Sequence, residues 1–522
     1  MMRLRISSLL IAVVLLLSVV LPTTAQVYPL KNAPTLTYWM NVNTAWSNRF
    51  KTLGDTTFGL ELAKRTGVNV VYTHPVPAQF DQSFNLMLAS GDLPDLIQNN
   101  FLTKIPGGPD KAIKDGYLLR LNEAIAKWAP NLTAYLKAHP EVDKLVKSDE
   151  GNYYAFPFIR TDPYLMTYQG PIVRQDWLDE LKLPVPVTID DWTVMLKAFK
   201  EKKGATAPFA MAPYWGPTNA AWQSPAFVGA YGTLKNWYID NGKVKFGPSD
   251  TQYKEFLKLF AGWYKAGLID PNFALSDAKQ RDAIYVAGMS GATVANIGGG
   301  IGYLVKLMEK VDPKARFVAA PYPVLKKSDK PEFGQMDLPF TGVAIAISAK
   351  TKNLETAVRY LDYGYSPDGA MFYNFGTPGV SYNMVGGYPT YTDFIMKNAK
   401  LSLQEAMGEH IRGSSDGPFL QDKRYAEQYF LLPEQKAAAT LWSSTNAAKH
   451  LFPNLSPDKA DIAEMSKIMS EVNTYVDEAF IKFVIGAEPV ENFDKYLATL
   501  KQLKIDRAIA IYQKSYDDFL KR

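Results

Sequence analysis

The sequence predicts an α/β protein of two lobes, and three observations support this prediction. Residues 35–98 alternate short apolar strands with amphipathic helices, the order that gives a mostly parallel sheet covered by helices. The chain has 522 residues, more than a single hydrophobic core usually holds. Strand patterns recur at 317–324 and 342–348, and helical patterns dominate the last third of the chain.

The first strand has a local explanation in its sequence. Residues 35–42 (TLTYWMNV) alternate and end in small polar residues, as a strand does when it runs into a loop. The elements that follow are predicted as a helix over 55–66 closed by Gly67, a strand at 68–72, a helix over 80–89 and a strand at 95–98. Ligands of such sheets collect where the strands end, here at residues 39–43 and 99–100.

Residues 173–200 (VRQDWLDELKLPVPVTIDDWTVMLKAFK) predict two helices joined by prolines. Pro184 and Pro186 end the first helix, because proline lacks an N–H and biases its predecessor toward extended backbone. Thr188 begins the second helix as its N-cap, with Asp191 as the capping-box partner. The apolar side chains that follow lie at the spacing of one helical face: Trp192, Met195, Leu196 and Phe199.

The C-terminal third is predicted to be a set of packed helices. Their predicted ranges are 403–407, 423–431, 433–441, 460–483 and 487–514.

Residues 1–25 predict a cleaved secretory signal. Arg3 and Arg5 precede an apolar run over 9–21, and Pro22 breaks that run before a small residue, Ala25, at the expected cleavage site. The alternative is an uncleaved membrane anchor, although the run is shorter than the roughly 20 residues that span a bilayer. We therefore expect a mature protein outside the cytoplasm.

Composition excludes several classes of site. The chain has no cysteine, which excludes disulfides, thiolate metal sites and a lipid-modified N-terminal cysteine. A secreted protein without that lipid is expected in the periplasm, with release to the medium as the alternative. The net charge of +5 is not organised into basic blocks, so no nucleic-acid partner is expected. Aromatic residues make up 13% of the chain, which suits both a large core and a carbohydrate site.

Several blocks in order resemble the family-1 extracellular solute-binding proteins, the sugar receptors of ABC importers. Besides residues 173–200, the blocks include 61–70 (ELAKRTGVNV), 84–97 (FNLMLASGDLPDLI), 153–163 (YYAFPFIRTDP), 260–273 (FAGWYKAGLIDPNF) and 361–382 (LDYGYSPDGAMFYNFGTPGVSY). The chain looks similar to the alginate-oligosaccharide receptors and the long lipoprotein sugar receptors within that family.

The resemblance implies a periplasmic binding protein fold of type II, like that of maltose-binding protein, with a hinge and a helical C-terminal extension. The N-terminal lobe is expected to comprise 34–160 and 335–374, and the C-terminal lobe 161–334 and 375–522. The family further implies a monomer that closes on an oligosaccharide and delivers it to ABC-transporter permease subunits in the inner membrane.

Two departures limit what is carried over from the family. Residues 200–208 (KEKKGATAP) lack the alternating oxygen ligands of the calcium loop that many relatives have there, so no metal and no cofactor are expected. Residues 292–300 (ATVANIGGG) present glycines where related proteins present a tryptophan. The ring that stacks on a sugar is therefore expected from elsewhere in the chain.

The first candidate ligand-binding residues lie at the strand ends. Trp39 is expected to stack on a pyranose face, and the side-chain amides of Asn41, Asn43, Asn99 and Asn100 to pair with sugar hydroxyls. The alternative is a buried tryptophan beside turn-forming asparagines.

Aromatic blocks supply a second set of candidates. Tyr154, Phe156 and Arg160 match the block that the resemblance places near the hinge, with hinge packing as the alternative. An exposed platform is predicted for the aromatic residues of a segment without helical spacing: Tyr214, Trp215 and Trp222.

The remaining candidates lie near turns and crossover segments. Asn296 and Gly298 would let backbone N–H groups approach a ligand, or simply form a tight glycine turn. Arg174 would bind a uronate carboxylate or pair with Asp176. Three further candidates come from crossover segments: Asp337, Phe340 and Tyr382.

The sequence favours a binding protein over an enzyme. The four histidines show no metal-binding spacing, and no nucleophile elbow or dinucleotide fingerprint is present. The predicted function is the substrate-binding component of an ABC importer for an oligosaccharide, with an acidic oligosaccharide left open. A secreted glycosidase or lyase stays an alternative, because two separated carboxylates leave no spacing signature. A stand-alone sugar sensor is the other alternative.

Overall fold

The computed structural model describes residues 27–211, 224–413, 417–455, 457 and 459–522. In this part of the chain the strands are, in order, β1 Leu36–Trp39, β2 Val70–Thr73, β3 Leu96–Asn100, β4 Phe156–Pro157, β5 Gln169–Arg174, β6 Trp237–Asp240, β7 Lys243–Phe246, β8 Ala292–Asn296, β9 Phe317–Ala319, β10 Val343–Ile347, β11 Tyr382–Val385 and β12 Tyr388–Tyr391.

Helices surround these strands on both sides. The α-helices of the described residues are α1 Thr44–Ser47, α2 Thr57–Thr66, α3 Phe80–Ser90, α4 Phe101–Lys104, α5 Gly108–Lys114, α6 Asn122–Trp128, α7 Pro130–Ala138, α8 Pro140–Val146, α9 Pro163–Met166, α10 Gln175–Leu181, α11 Ile189–Lys203, α12 Pro225–Val228, α13 Tyr253–Lys265, α14 Ala278–Val286, α15 Gly302–Met308, α16 Leu354–Asp362, α17 Pro367–Phe375, α18 Asp393–Met396, α19 Leu403–His410, α20 Lys423–Tyr429, α21 Pro433–Ser443, α22 Lys459–Val484, α23 Phe493–Gln502 and α24 Ile505–Leu520.

A five-stranded sheet in the order β2-β1-β3-β10-β4 forms the centre of the N-terminal lobe. β1 runs parallel to β2 and β3, as the alternation of strands and helices predicts. β10 returns from the far part of the chain and pairs antiparallel with both β3 and β4. The ends of β1, β3 and β4 and the start of β10 therefore meet at one edge of the sheet.

A three-stranded sheet in the order β8-β5-β9 forms the centre of the C-terminal lobe, and both pairings are antiparallel. The start of β5 and the end of β8 lie side by side, with Gln169 opposite Asn296. One turn of π-helix, Ile297–Ile301, follows β8 directly and leads into α15.

Each lobe has its own hydrophobic core. The first core includes Phe58, Ile97 and Leu361 and runs from β1 to α17, and the second includes Trp192 and Phe480 and collects the central and C-terminal helices. The chain passes from the first core to the second at 160–171 and returns at 323–339. The crossover segments therefore join the two sheets at the edges described above.

A third, smaller core holds residues from α17 through α20 together with Leu165 of the first crossover. Its helix α19 packs against α1, where Gly408 lies so close to Ala45 that a side chain on the glycine would clash. The segment from 375 to about 430 thus contacts the N-terminal lobe as well as the crossover. The predicted lobe boundaries stay a prediction.

The helix that starts after the proline pair is confirmed in detail. Thr188 Oγ accepts a hydrogen bond from Asp191 N at 3.0 Å, and Asp191 Oδ2 accepts one from Thr188 N at 3.0 Å. The four apolar side chains predicted for the inner face of α11 are all buried.

The last predicted helix needs a correction. The range 487–514 was expected to be continuous, but α23 ends at Gln502 and α24 begins at Ile505. Lys504 between them has a φ of 67°, a left-handed conformation that a helix interior does not accept. The break turns α24 back against α22, which the periodicity alone did not indicate.

Candidate functional site

The edges of the two sheets that the crossovers join form the candidate site, and we call this region the interlobe edge. It comprises the residues after β1 and β4, the last residues of β3 and β8 with those that follow them, the residues before β10, and the crossover residues 158–169 and 335–342. Parallel strand ends leave backbone groups without ladder partners, and this is where ligands bind in open α/β sheets.

Four asparagines border the N-terminal side of the interlobe edge. Asn41 is exposed, and Asn43 caps α1 by accepting a hydrogen bond from Ala45 N at 2.8 Å. Asn100 caps α4 and donates to Thr341 O at 3.3 Å, which ties β3 to the returning crossover. Asn99 is 5% exposed, and its Nδ2 has no acceptor among the described residues. A buried amide donor without an acceptor is uncommon and is satisfied by a ligand or water.

An ion pair joins the two crossovers at the centre of the edge. Arg160 Nη2 donates to Asp337 Oδ2 at 2.5 Å, and Gln335 Nε2 donates to the other carboxylate oxygen at 3.1 Å. Gln335 also accepts from Tyr168 N at 2.7 Å. Arg160 Nε is buried and donates to no acceptor in the described part of the chain. The sequence pattern placed Arg160 and Asp337 separately, and the fold brings them together.

Burial sets the electrostatics of this cluster. Loss of solvent raises the pKa of Asp337 above its ordinary value, although the Arg160 guanidinium works in the opposite direction. Burial, and then the Asp337 carboxylate, raise the pKa of Tyr168 to about 12, so this phenol stays protonated and can donate a hydrogen bond. The cluster thus offers neutral and charge-balanced hydrogen-bonding groups.

The C-terminal side of the edge contains the predicted glycine turn and a ring that sequence reasoning missed. Asn296 Oδ1 accepts from Gln169 Nε2 at 3.0 Å. Cε1 of Tyr429 lies 3.9 Å from the position that a Cβ on Gly298 would occupy. Tyr429 is half-buried and comes from α20, far away in the sequence, so no local pattern connects it with the turn.

A search for related proteins identifies the family. The profile described as bacterial extracellular solute-binding protein matches residues 49–371, more than half of the chain. The chain belongs to this family.

Known members of the family extend the comparison to nearly the whole chain. The fructooligosaccharide ABC transporter substrate-binding protein FusA of Streptococcus pneumoniae is 22% identical over 484 residues, which cover 88% of this chain and 86% of FusA. Among solved structures, alginate-binding protein AlgQ2 without calcium ion is 24% identical with a TM-score of 0.68, covering 93% of this chain and 98% of AlgQ2. An HMO-binding, ABC-transporter-associated solute-binding protein from Bifidobacterium longum infantis is 18% identical with a TM-score of 0.74, covering 94% and 99%. These findings confirm the predicted family and the two-lobed fold.

Several candidates of this solute-binding protein are core residues, which corrects their predicted role. Trp39 is 5% exposed and its ring packs on Phe80 at 4.7 Å and on Phe84 at 5.8 Å, so neither face is open to a sugar. The same holds for three further aromatic candidates, which are 0–1% exposed in the N-terminal core: Tyr154, Phe156 and Phe340. The alternation of residues along a strand predicts on which face of the sheet a side chain lies, but not which other side chains cover that face.

Tyr382 and Arg174 also lie away from the candidate site. Tyr382 packs on Phe375 in the third core, with 5.9 Å between ring centroids. Arg174 is 1% exposed at the end of β5 opposite to the interlobe edge, where it pairs with Asp176 and Asp312 at 2.6 Å each. The local ion pair is therefore the correct alternative for Arg174.

Three candidates lie outside the described residues: Tyr214, Trp215 and Trp222. Within the described ranges, no group of three or more metal-ligating side chains comes together. No helix of those ranges combines the length and the apolar character that crossing a membrane requires.

Proposed function

We propose that this protein is the substrate-binding component of an ABC importer, which holds an oligosaccharide between its two lobes and delivers it to the permease. The proposal adds a ligand class and a partner to the family assignment. The named ligand of FusA, a fructooligosaccharide, supports an oligosaccharide as the ligand class.

The observation that carries the proposal is that two side chains of the interlobe edge, Asn99 and Arg160, have buried donors without an acceptor among the described residues. Asn99 Nδ2 and Arg160 Nε are buried donors that a sugar hydroxyl can satisfy. Tyr429 supplies an aromatic ring beside the Gly298 turn, and one side of this ring stacks on Tyr425 with 5.6 Å between ring centroids. Sugar rings need both contacts, because they combine hydroxyl groups with apolar C–H faces.

We assign distinct roles to the candidates. Asn41, Asn43, Asn99 and Asn100 would bind from the N-terminal lobe. Arg160 and Asp337 would hold hydroxyl groups at the hinge, with Asn296 and the Gly298 backbone opposite them. Tyr429 would stack on one sugar, and further rings are sought among Tyr214, Trp215 and Trp222.

The proposed setting is the periplasm, where a monomer released from its signal peptide diffuses to the permease subunits in the inner membrane. Ligand binding between lobes favours the closed conformation only by the difference in affinity between the open and closed states. The protein itself is proposed to leave the glycan unchanged.

Calorimetry on purified mature protein with a panel of oligosaccharides tests the proposal. A thermal-shift screen selects ligands first, because a molecule that binds only the folded state raises its melting temperature. We expect at least one oligosaccharide to bind with a stoichiometry of one and to be recovered intact after incubation. Turnover of the bound glycan at catalytic protein concentration contradicts a transport role.

A matched pair of variants places the binding site. Asn99→Ala removes a donor at the interlobe edge and is expected to weaken binding, whereas Asn473→Ala changes an exposed asparagine on α22 and is expected to leave affinity unchanged. Equal affinity of both variants and the wild type places the site elsewhere.

A further inference from the structure

The cation at the centre of the interlobe edge already has a carboxylate partner. Arg160 has its guanidinium 2.5 Å from Asp337, in side chains that are only 21% and 26% exposed. The opposite charges of such a partly buried ion pair largely cancel in their effect on a third charged group nearby. A second anion near Arg160 meets the repulsion of Asp337 as well as the attraction of the arginine.

The cations on the face contributed by α20 are also paired with carboxylates. Lys423 lies 3.5 Å from Asp162 of the first crossover. Arg424 donates to Asp422 through both Nε, at 2.9 Å, and Nη2, at 2.5 Å. This forked contact uses the geometry with which an arginine would otherwise bind a ligand carboxylate.

The N-terminal rim, at the ends of β1 and β2, carries Arg49, Lys51 and the buried Arg412. Arg49 borders a hollow of about 420 Å³ near the ends of β1 and β2, and it is bound by Glu409 at 2.5 Å. Lys51 on the same rim is exposed, so water and salt screen its charge. The internal residues outside the described ranges, 212–223, 414–416, 456 and 458, include neither lysine nor arginine.

A uronate carboxylate beside Arg160 would lose hydration, while Asp337 offsets the attraction of the guanidinium. That loss is large for an ionised group unless a partner of opposite charge replaces the water. A neutral sugar hydroxyl loses much less hydration free energy on burial than a carboxylate does. Contacts with the side-chain amide, the guanidinium Nε and the aromatic ring compensate for that smaller loss. The charge-balanced edge therefore discriminates against anionic glycans, because their carboxylates would be buried without a cation as partner.

We infer that the glycan bound at the interlobe edge is neutral and carries no uronic acid. The inference rests on the proposed function and goes beyond it by naming the charge class of the ligand. It separates this protein from a receptor for acidic polysaccharide fragments.

Calorimetry with neutral and uronic oligosaccharides of matched length tests the inference. A fructo- or galacto-oligosaccharide series serves as the neutral probe, and an oligogalacturonate or oligoalginate series as the acidic probe. We expect binding from the neutral set only, with a Kd that changes less than twofold between 50 and 500 mM NaCl. Preferred, salt-sensitive binding of an acidic oligomer overturns the inference but leaves the proposed function standing. Binding of no oligosaccharide at all overturns the proposed function itself.

Removing the partner of Arg160 tests the cause directly. Asp337→Asn keeps the acceptor for Gln335 but frees the guanidinium, so we expect at least tenfold tighter binding of the acidic probe than in the wild type. Asp312→Asn is the matched control, because it removes a carboxylate from the buried Arg174 at the far end of β5 and should leave the acidic probe unbound.

A second variant covers the case in which Asp337→Asn does not fold, as judged by its circular dichroism and melting temperature. Asp162→Asn frees Lys423 at an exposed pair, and asparagine still caps α9 as aspartate does. It is also expected to gain affinity for the acidic probe. Folded variants that bind acidic glycans no better than the wild type contradict the inference.

Discussion

Tyr429 is the residue on which the stacking part of the site depends. Its half-buried ring lies beside the Gly298 turn and stacks on Tyr425 with 5.6 Å between ring centroids, so a sugar would pack on the opposite side of the ring. Tyr429→Ala is expected to weaken glycan binding about threefold to tenfold, the loss of one aromatic contact of about 0.5–1.5 kcal/mol. Calorimetry measures the change. Tyr429→Phe keeps the ring and should bind nearly as the wild type, and equal affinity for all three proteins contradicts the stacking role.

Asp362 makes the stability of the N-terminal lobe depend on pH. The side chain is 0% exposed and accepts hydrogen bonds from Asn131 N at 3.2 Å and Leu132 N at 2.8 Å at the start of α7. Burial raises the pKa of Asp362 to about 6, above its ordinary value near 3.8. The protonated form is therefore favoured by folding. The stabilisation of the folded state by protonated Asp362 is fully present below the ordinary pKa and is lost as the pH rises through 6.

The comparison with Asp362→Asn isolates this effect, because the amide does not ionise. Relative to that variant, the wild type is expected to lose about 2 kcal/mol in free energy of unfolding between pH 4 and pH 7. Urea denaturation at both pH values provides the measurement. A difference between the two proteins that stays constant with pH rules out the assigned titration.

At the residue scale, the sequence predicted which residue types border the site better than it predicted which side chains are exposed. The strand ends follow from the apolar pattern, although β3 runs on through Asn99 and Asn100, which were expected after it. The binding role of these asparagines stays a prediction. Trp39 was misjudged since its pattern does not reveal that Phe80 and Phe84 cover the ring. Tyr429 could not be found from the sequence, because its contact with Gly298 arises only when α20 docks near the crossovers.

At the element scale, the capping box of α11 gives a local contribution to stability. Thr188→Ala removes the side-chain acceptor for Asp191 N and is expected to cost about 1 kcal/mol in free energy of unfolding. Thr188→Ser preserves the acceptor and should restore most of the loss. Thermal and urea denaturation of the three proteins provide the measurement, and an alanine variant as stable as the wild type would show that the cap is dispensable.

Elements with strong end signals were predicted within a few residues, and elements without them were not. α2 ends at Gly67 with a φ of 74°, as the glycine indicated, and α11 begins at its predicted cap. The break between α23 and α24 has no proline or glycine, and Lys504 adopts the left-handed conformation instead. Tertiary packing on α22 decides that turn, so periodicity extends the helix through it.

At the scale of the whole molecule, the lobes are joined by more than the crossovers. α24 belongs to the C-terminal core, yet Arg522 Nη1 donates to Lys147 O at 3.1 Å and Leu520 O accepts from Lys144 Nζ at 3.1 Å on the N-terminal lobe. A polar hollow of about 640 Å³ lies between α5 and α24. Relative motion of the lobes must therefore be accommodated at this contact as well as at the hinge.

Lobe closure is the last expected outcome. A ligand that touches both lobes lowers the free energy of the closed state more than that of the open state, so saturation should move the population toward the closed state. Small-angle scattering of mature protein with a saturating neutral glycan is expected to give a smaller radius of gyration than the free protein. The Tyr429→Ala variant at the same glycan concentration should show less of the change, because fewer molecules are occupied. An unchanged scattering curve from a sample that calorimetry shows to be saturated would mean that binding does not close the lobes.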